Sequence, residues 1–157
     1  MTDDSVEQQI VERLRTQVNL VAGDMMANGI SQSTIEQALS EFGFSESPVS
    51  FGDLEPSAQA LSDLSPTCVA HRIALAMINE GANLMAEGLV QSSAQIDAVV
   101  GLGRGVMDYA DQQTPRAILR DLRALQDENP DLWVPSQMIE AMVAMGTRFS
   151  DFFAPDA

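Results

Sequence analysis

The chain has 157 residues, 45% hydrophobic and 20% charged, which is typical of a globular domain and allows a substantial core. Its 23 acidic residues outnumber eight basic residues, all of them Arg, for a formal net charge of −15. Such a charge repels nucleic acid and anionic membranes, so neither is an expected partner. The absence of Lys also excludes Schiff-base and P-loop lysine chemistry.

The single Cys68 and the single His71 exclude an intrachain disulfide and metal sites built from several Cys or His side chains. A metal site would have to rest on carboxylates, and the EF-hand spacing D-x-D-x-D-G does not occur, so none is expected. No long apolar run is present, and the N-terminal MTDDSVEQ is acidic, unlike a secretion signal. We therefore expect a cytoplasmic protein.

Helical signals dominate the first half of the chain. Apolar residues spaced by three and four predict a first helix over 5–28, which Gly29 ends. A short helix is predicted over 33–41, with Ser33 as its N-cap in a capping box. Another short helix is predicted over 56–64, after a loop rich in Ser and Gly.

The second half continues this pattern. Ser65-Pro66 predicts the start of a long helix that runs to about Glu87 and ends at Gly88. Further helices are predicted over 93–100, 114–127 and 135–149, with a glycine-bearing loop over 101–111 between the first two. No segment alternates convincingly in the manner of a strand, so the predicted fold class is all-α.

An internal repeat indicates how these helices are organised. Aligned without gaps, residues 12–30 and 71–89 share an Arg, a Met, an Ala and a Gly. The agreement continues through SQS and VQS, TIEQAL and QIDAVV, and EFG and GLG. We predict two tandem helical modules, 1–64 and 65–157, packed against each other.

The long helix RIALAMINEGANLMAEGL carries Asn79 and Glu80 in its apolar middle. At helical spacing they lie on or beside one stripe with Arg72, Asn83 and Glu87. Two interpretations are open. The stripe faces solvent, or it faces the other module, where Asn, Glu and Arg satisfy one another. Unpaired burial would cost about 1–3 kcal/mol per group, so the second interpretation requires partners.

These residues resemble a known family. The segment AHRIALAMINEGANLMAEGLVQSSAQIDAVVGLG is similar to the C-terminal helical domain of 3-hydroxyacyl-CoA dehydrogenases. The shared features are an Arg early in the long helix, an Asn-Glu pair, a Glu-Gly pair, an Ile-Asp pair and a Gly-x-Gly turn. In this chain they are, in the same order, Arg72, Asn79-Glu80, Glu87-Gly88, Ile96-Asp97 and Gly101–Gly103. The continuation from MDYADQQTP to MGTRF resembles the end of the fatty-acid oxidation multifunctional enzyme, which carries two such domains in tandem.

The resemblance implies a 6-phosphogluconate-dehydrogenase C-terminal-like fold for both modules, and a role as the substrate-side and dimerisation half of such an enzyme. It implies substrate-binding roles for His71, Arg72, Asn79 and Glu80, with acyl-CoA as the ligand. The nicotinamide-binding domain with its G-x-G-x-x-G turn and catalytic His–Glu pair is absent from the sequence. We therefore expect no catalytic residue and no cofactor bound by this chain alone, since NAD would need a dehydrogenase partner in trans.

A fused pair of modules can bury internally the surface that single-copy relatives bury by dimerising, so a monomer or a homodimer is expected. Two alternatives remain open. Cys68 and His71 lie one turn apart near a helix N-terminus, so the chain could be a free-standing enzyme that acts on acyl-CoA or another thioester. The default interpretation of a lone Cys is packing in the core. The chain could also be a fragment of a longer fatty-acid oxidation protein.

Arg116, Arg120 and Arg123 share one face of a predicted helix at spacings of four and three. Pairing with nearby acids is the default interpretation of such a face. A site for an anionic CoA group is the alternative, because guanidinium groups suit phosphate geometry.

Overall fold

The computed structural model describes residues 2–44, 66–90, 92–100 and 105–151. Every regular element within these ranges is helical, which confirms the predicted all-α class. Among these helices, none combines the length and the apolar character that crossing a membrane requires. In chain order they are α1 (Thr2–Ala27), α2 (Gln32–Phe42), α3 (Pro66–Ala86), α4 (Ser93–Val100), α5 (Val106–Gln113), α6 (Pro115–Glu128) and α7 (Gln137–Met145), followed by a 3-10 turn at Phe149–Asp151.

Helix α3 lies at the centre of the fold, because α1, α2, α4, α5 and α7 all pack against it. Its apolar side chains point in nearly every direction and are almost completely buried, as in Ile73, Met77 and Leu84. A helix that is apolar nearly all round belongs in a core. Gly81 allows close packing on one side, since a Cβ there would lie 3.2 Å from both Ile96 Cδ1 and Met107 Sδ.

One continuous apolar core holds the described helices together, with residues from α1 and α2 as well as from α3 to α7. The largest side chains with almost no exposure include Ile10, Met25, Ile35 and Phe149, which come from opposite ends of the chain. The division into modules 1–64 and 65–157 stays a prediction, and the helix predicted over 56–64 lies outside the described residues.

The start of α2 differs from the prediction, because Ser31 and not Ser33 is its N-cap. Ser31 has an extended backbone (φ −76°, ψ 156°), and its hydroxyl accepts a hydrogen bond from the Thr34 N–H. The reason lies at the end of α1, where Gly29 has a φ of 101° and the Ile30 N–H donates to Met25 O at 3.0 Å. Because this turn is tight, the N-cap of α2 lies two residues earlier than the capping box suggested.

The loop predicted over 101–111 is partly wrong, because α5 begins at Val106. Gly105 caps α5 without a side chain, and the missing acceptor comes from Asp97 on α4. Its carboxylate oxygens accept the Met107 N–H at 2.9 Å and the Asp108 N–H at 3.1 Å. Burial raises the pKa of Asp97. This cap crosses between two helices, so local sequence patterns did not reveal it.

The last helix is also shorter than predicted. It begins after Ser136, whose hydroxyl accepts a hydrogen bond from the Met138 N–H, and it ends at Gly146, which has a left-handed backbone with a φ of 70°. Glycine adopts that conformation without the penalty that a Cβ imposes. Phe149 therefore lies in the separate 3-10 turn rather than in the helix, and it is fully buried.

Thr114 joins α5 to α6 and has a strained backbone, with a φ of 81° and a ψ of 144°. As the C-cap of α5, its N–H bonds to Ala110 O and Asp111 O, which calls for a positive φ. Because Pro115 follows, an extended ψ is also required. Only glycine reaches this combination easily, so a β-branched residue here costs about 1–3 kcal/mol.

We expect Thr114→Gly to raise the free energy of unfolding by about 1 kcal/mol, because relief of strain exceeds the few tenths lost with the hydroxyl cap. The Thr114 hydroxyl accepts the Ala117 N–H at 3.2 Å, and Thr114→Ala removes that bond while keeping the Cβ. Thr114→Ala should therefore destabilise the protein by about 1 kcal/mol. Urea denaturation followed by circular dichroism measures both, and equal destabilisation by the two variants would show that the backbone is not strained.

Candidate functional site

The polar face of α3 meets α1 in an ion-paired network, here called the polar seam, formed by Arg13, Glu80, Asn83 and Glu87. The Arg13 Nε–H donates to Glu80 Oε2 at 2.7 Å. Its two terminal nitrogens donate to the two oxygens of Glu87 at 2.8 and 2.7 Å. The Asn83 amide donates to the other Glu80 oxygen at 3.0 Å. Both oxygens of Glu80 are thus satisfied by side chains.

The two carboxylates of the polar seam differ in burial. The Glu80 side chain is 11% exposed and the Glu87 side chain 48%. The hydrogen bond from Arg13 holds the pKa of Glu87 below its ordinary value, and the same bond is the main cause of the raised pKa of Arg13. Glu80 is thus buried and paired with Arg13 of α1, whereas Glu87 stays partly in solvent. That the stripe lies between two modules stays a prediction.

Asn79 lies beside the polar seam and holds the segment that leads into α7. Its amide nitrogen donates to Val134 O at 2.8 Å, and its carbonyl oxygen accepts the Ser136 N–H at 2.7 Å. One side chain thus satisfies both a carbonyl and an N–H of an irregular segment. Because Ser136 is itself the N-cap of α7, Asn79 sets where that helix begins.

Arg72 lies nearer the N-terminus of α3, on a cleft of about 400 Å³ between the end of α1 and the end of α6. Its Nη2 lies 3.2 Å from Glu128 Oε1, and the Arg72 side chain is 17% exposed. The wall also carries Asp24, whose carboxylate accepts from the Asn129 amide at 3.4 Å. The single guanidinium faces two carboxylates, so this cleft is a poor site for an anionic substrate.

His71 connects three helices. Its Nε2 lies 2.8 Å from Asp121 Oδ2 on α6, and its Nδ1 lies 2.7 Å from the Tyr109 hydroxyl on α5. Because a carboxylate only accepts, Nε2 carries the proton and donates to Asp121. In the neutral ring Nδ1 then accepts from Tyr109. Both imidazole nitrogens are engaged, which is the arrangement of a structural bridge.

The four residues predicted to bind substrate therefore contact different parts of the chain. His71 bonds to α5 and α6, Arg72 to the end of α6, Asn79 to the segment before α7, and Glu80 to α1. Each has an intramolecular partner, and the structure gives each a role in packing. Their role in substrate binding stays a prediction.

The three arginines of α6 also diverge. Arg120 pairs with Asp121 at 3.0 Å and Arg123 pairs with Glu140 at 3.4 Å, as the default interpretation predicted. Arg116 instead lines a second cleft, of about 460 Å³, together with Arg148. Arg148 was not among the residues predicted from the sequence, because a lone Arg after α7 carries no local signal. It joins Arg116 only through the path of the folded chain.

Asp111 fixes that path. Its carboxylate oxygens accept the Phe149 N–H at 2.7 Å and the Ser150 N–H at 3.0 Å, which ties the 3-10 turn to the end of α5. Asp97 and Asp111 thus perform the same task, each holding the first N–H groups of a later element. The Ile-Asp step that drew attention in the sequence includes the first of these two acids.

Metal binding and thiol chemistry are two further possibilities for this chain. Where the structure describes the chain, no three His, Cys, Asp or Glu side chains lie together as a metal ion would require. The Cys68 side chain lies outside the described residues, so its pairing with His71 stays a prediction. No model of a known protein family matches this chain.

We expect Arg13→Met to lower the free energy of unfolding by about 2 kcal/mol at pH 7, because Glu80 is left buried with only Asn83 as partner. Full burial of the pair would make the loss larger, but the Arg13 side chain is 34% exposed. Arg15→Met, at an exposed position on the same helix, should change stability by less than about 0.5 kcal/mol.

The effect of Arg13→Met should also depend on pH. Since the folded pKa of Glu87 is lowered, its pairing contributes stability above its ordinary pKa of about 4.5, and this is lost as the pH falls through the folded pKa. The difference between wild type and variant should therefore shrink below pH 4.5. Urea denaturation at pH 7 and at lower pH measures it, and a difference independent of pH would refute the pairing.

We expect His71→Leu to cost about 1–3 kcal/mol of unfolding free energy, because it removes the bonds to both Tyr109 and Asp121. Arg120→Gln is the matched control, since Arg120 touches the same Asp121 from a side chain that is 73% exposed. Its loss should stay within about 0.5 kcal/mol. Thermal unfolding compares the two, and equal small effects would show that the imidazole bridge is not structural.

Proposed function

We propose that this chain is a helical binding and assembly module, which acts with a nicotinamide-binding dehydrogenase partner as the substrate-side half of a 3-hydroxyacyl-CoA dehydrogenase. The observation that carries the proposal is the polar seam. Arg13, in the first predicted module, bonds to Glu80 and Glu87 in the second at 2.7–2.8 Å. The positions that resemble the family are here used to pack helices, which favours an assembly role over a catalytic one.

The packing supports this role in a second way. In a single-copy domain, the face of α3 that carries Glu80 would need a second subunit to cover it. Here α1 of the same chain covers it, and the carboxylate is satisfied without a partner molecule. A surface assembled in advance loses little further conformational freedom on binding, which improves affinity for a partner.

Under this proposal, hydride transfer and the covering of the substrate are divided between two chains. A nicotinamide held by the partner would exchange hydride with the 3-hydroxy or 3-keto group of an acyl-CoA. This chain has no G-x-G-x-x-G turn, and its contribution would be a rigid helical wall that covers the acyl group and excludes water. The exposed Leu20 and Val134, on α1 and before α7, offer apolar surface for such contacts.

The alternative of a thiol enzyme has less support from the geometry. His71 would have to act as the base for Cys68, yet its two nitrogens already face Tyr109 and Asp121 at 2.7 and 2.8 Å. Proton transfer from a thiol would require one of these bonds to break. A nucleophile also needs an orienting group and an oxyanion site, and the contacts of His71 supply only the first.

The deciding experiment is affinity purification of the full chain from its source cell under native conditions, followed by an assay of the complex. We expect a stoichiometric partner that contains a dinucleotide-binding turn. Mixed with this chain, it should oxidise NADH in the presence of a 3-ketoacyl-CoA at a rate that neither component shows alone. Absorbance at the NADH band measures this rate.

Cys68→Ser provides the control for the alternative. Under the assembly proposal the variant supports the same rate as the wild type in the reconstituted complex. If the wild-type chain alone hydrolyses a thioester and the variant does not, the chain is a thiol enzyme. Failure of any nicotinamide-binding partner to bind or to gain activity would overturn the proposed function.

A further inference from the structure

The cleft between the α5–α6 junction and the end of α7 is unusual in its charge. Arg116 and Arg148 both line it, and both side chains are exposed. By contrast, Arg13, Arg72, Arg120 and Arg123 are all ion-paired. The exposed Arg15 also has no such pair within the described residues, but it does not line this cleft. Within the described residues, neither Arg116 nor Arg148 has such a pair. In a chain with eight bases and 23 acids, two unpaired guanidinium groups on one cleft stand out.

The carboxylate in this cleft does not cancel these charges. Asp111 lines the wall, but its oxygens already accept the Phe149 and Ser150 N–H groups at 2.7 and 3.0 Å. These two hydrogen bonds orient the Asp111 carboxylate toward the 3-10 turn, and it forms no ion pair with either arginine within the described residues. The guanidinium groups are therefore the free charges that a ligand would meet.

The rest of the wall combines polar and apolar residues. The polar contributions beside the arginines include the exposed Thr114 and the partly exposed Thr147. The apolar contributions are Pro115, Met142 and Val143, of which the first two are buried. Thr114 is also the residue with the strained backbone, at a φ of 81°. Strain of this kind is found often at ligand-binding positions.

We propose that this cleft binds an organic oxyanion, a phosphate or carboxylate group attached to a short apolar chain. Arg116 and Arg148 hold the oxyanion through charge-assisted N–H···O bonds, and Met142 and Val143 contact the apolar chain. The site does not depend on the nicotinamide partner, so its test is independent of the test of the proposed function. Its volume of about 460 Å³ is in the range of small-molecule sites.

The global charge makes the site selective. A net charge of −15 repels anions from most of the surface, so binding must come from this local pair of guanidinium groups. Each charge-assisted bond contributes enough that its loss should weaken binding about tenfold or more. Each methylene group buried against the partly exposed Val143 should strengthen binding about fourfold.

The test is titration of the isotope-labelled full chain, followed by two-dimensional amide NMR, with inorganic phosphate, butyl phosphate and butyrate. We expect saturable shifts at the amides of Thr114, Gly146 and Thr147, with butyl phosphate binding more tightly than inorganic phosphate. Comparison of butyl phosphate with butyrate distinguishes a phosphate ligand from a carboxylate ligand. The chain needs no partner for this measurement.

Arg116→Gln and Arg148→Gln should each weaken binding about tenfold, while Arg15→Gln, an equal charge change at an exposed position of α1, should leave it unchanged. All three side chains are exposed, so the variants should keep the spectrum of the folded protein. Saturable shifts that both cleft variants weaken would support the site. Absence of saturable shifts with all three probes, or equal weakening by Arg15→Gln, or no weakening by either cleft variant, would overturn it.

Discussion

Glu80 is a carboxylate in the middle of an otherwise apolar helix, and its need for a partner determines how α1 lies on α3. Only 8% of the residue is exposed, so an unpaired charge there would cost several kcal/mol. Arg13 supplies the charge, and Asn83 supplies a second hydrogen bond. Since Arg13 also bonds to both oxygens of Glu87, a shift of α1 by one turn would break three bonds at once.

The other polar groups of α3 act in the same way toward other helices. His71 fixes α5 and α6 through Tyr109 and Asp121, and Asn79 fixes the segment before α7. Apolar burial supplies most of the driving force for folding, but it has little directional preference. The hydrogen bonds from α3 supply that direction, so the long central helix is also the one that sets the geometry of its neighbours.

Much of the fold could be predicted because its signals are local. The end of α1 follows from Gly29, the start of α6 from Thr114-Pro115, and the long helix α3 from Pro66 and its apolar sequence. The start of α5 could not be predicted, because its cap is Asp97 on another helix. The site was harder still. Arg116 was noticed for its spacing along α6, whereas Arg148 reaches the same cleft only because Asp111 holds the turn at Phe149.

The sequence by itself determined the all-α class and most helix boundaries, since these depend on spacing and capping residues. For Asn79 and Glu80 it showed only that they would need partners if the helix buried them. Tertiary structure alone decided which partners they have. Arg13 and Glu80 are 67 residues apart, and no periodicity within one helix reports on a contact across such a distance. The same holds for Arg116 and Arg148, which only the folded chain brings to one cleft wall.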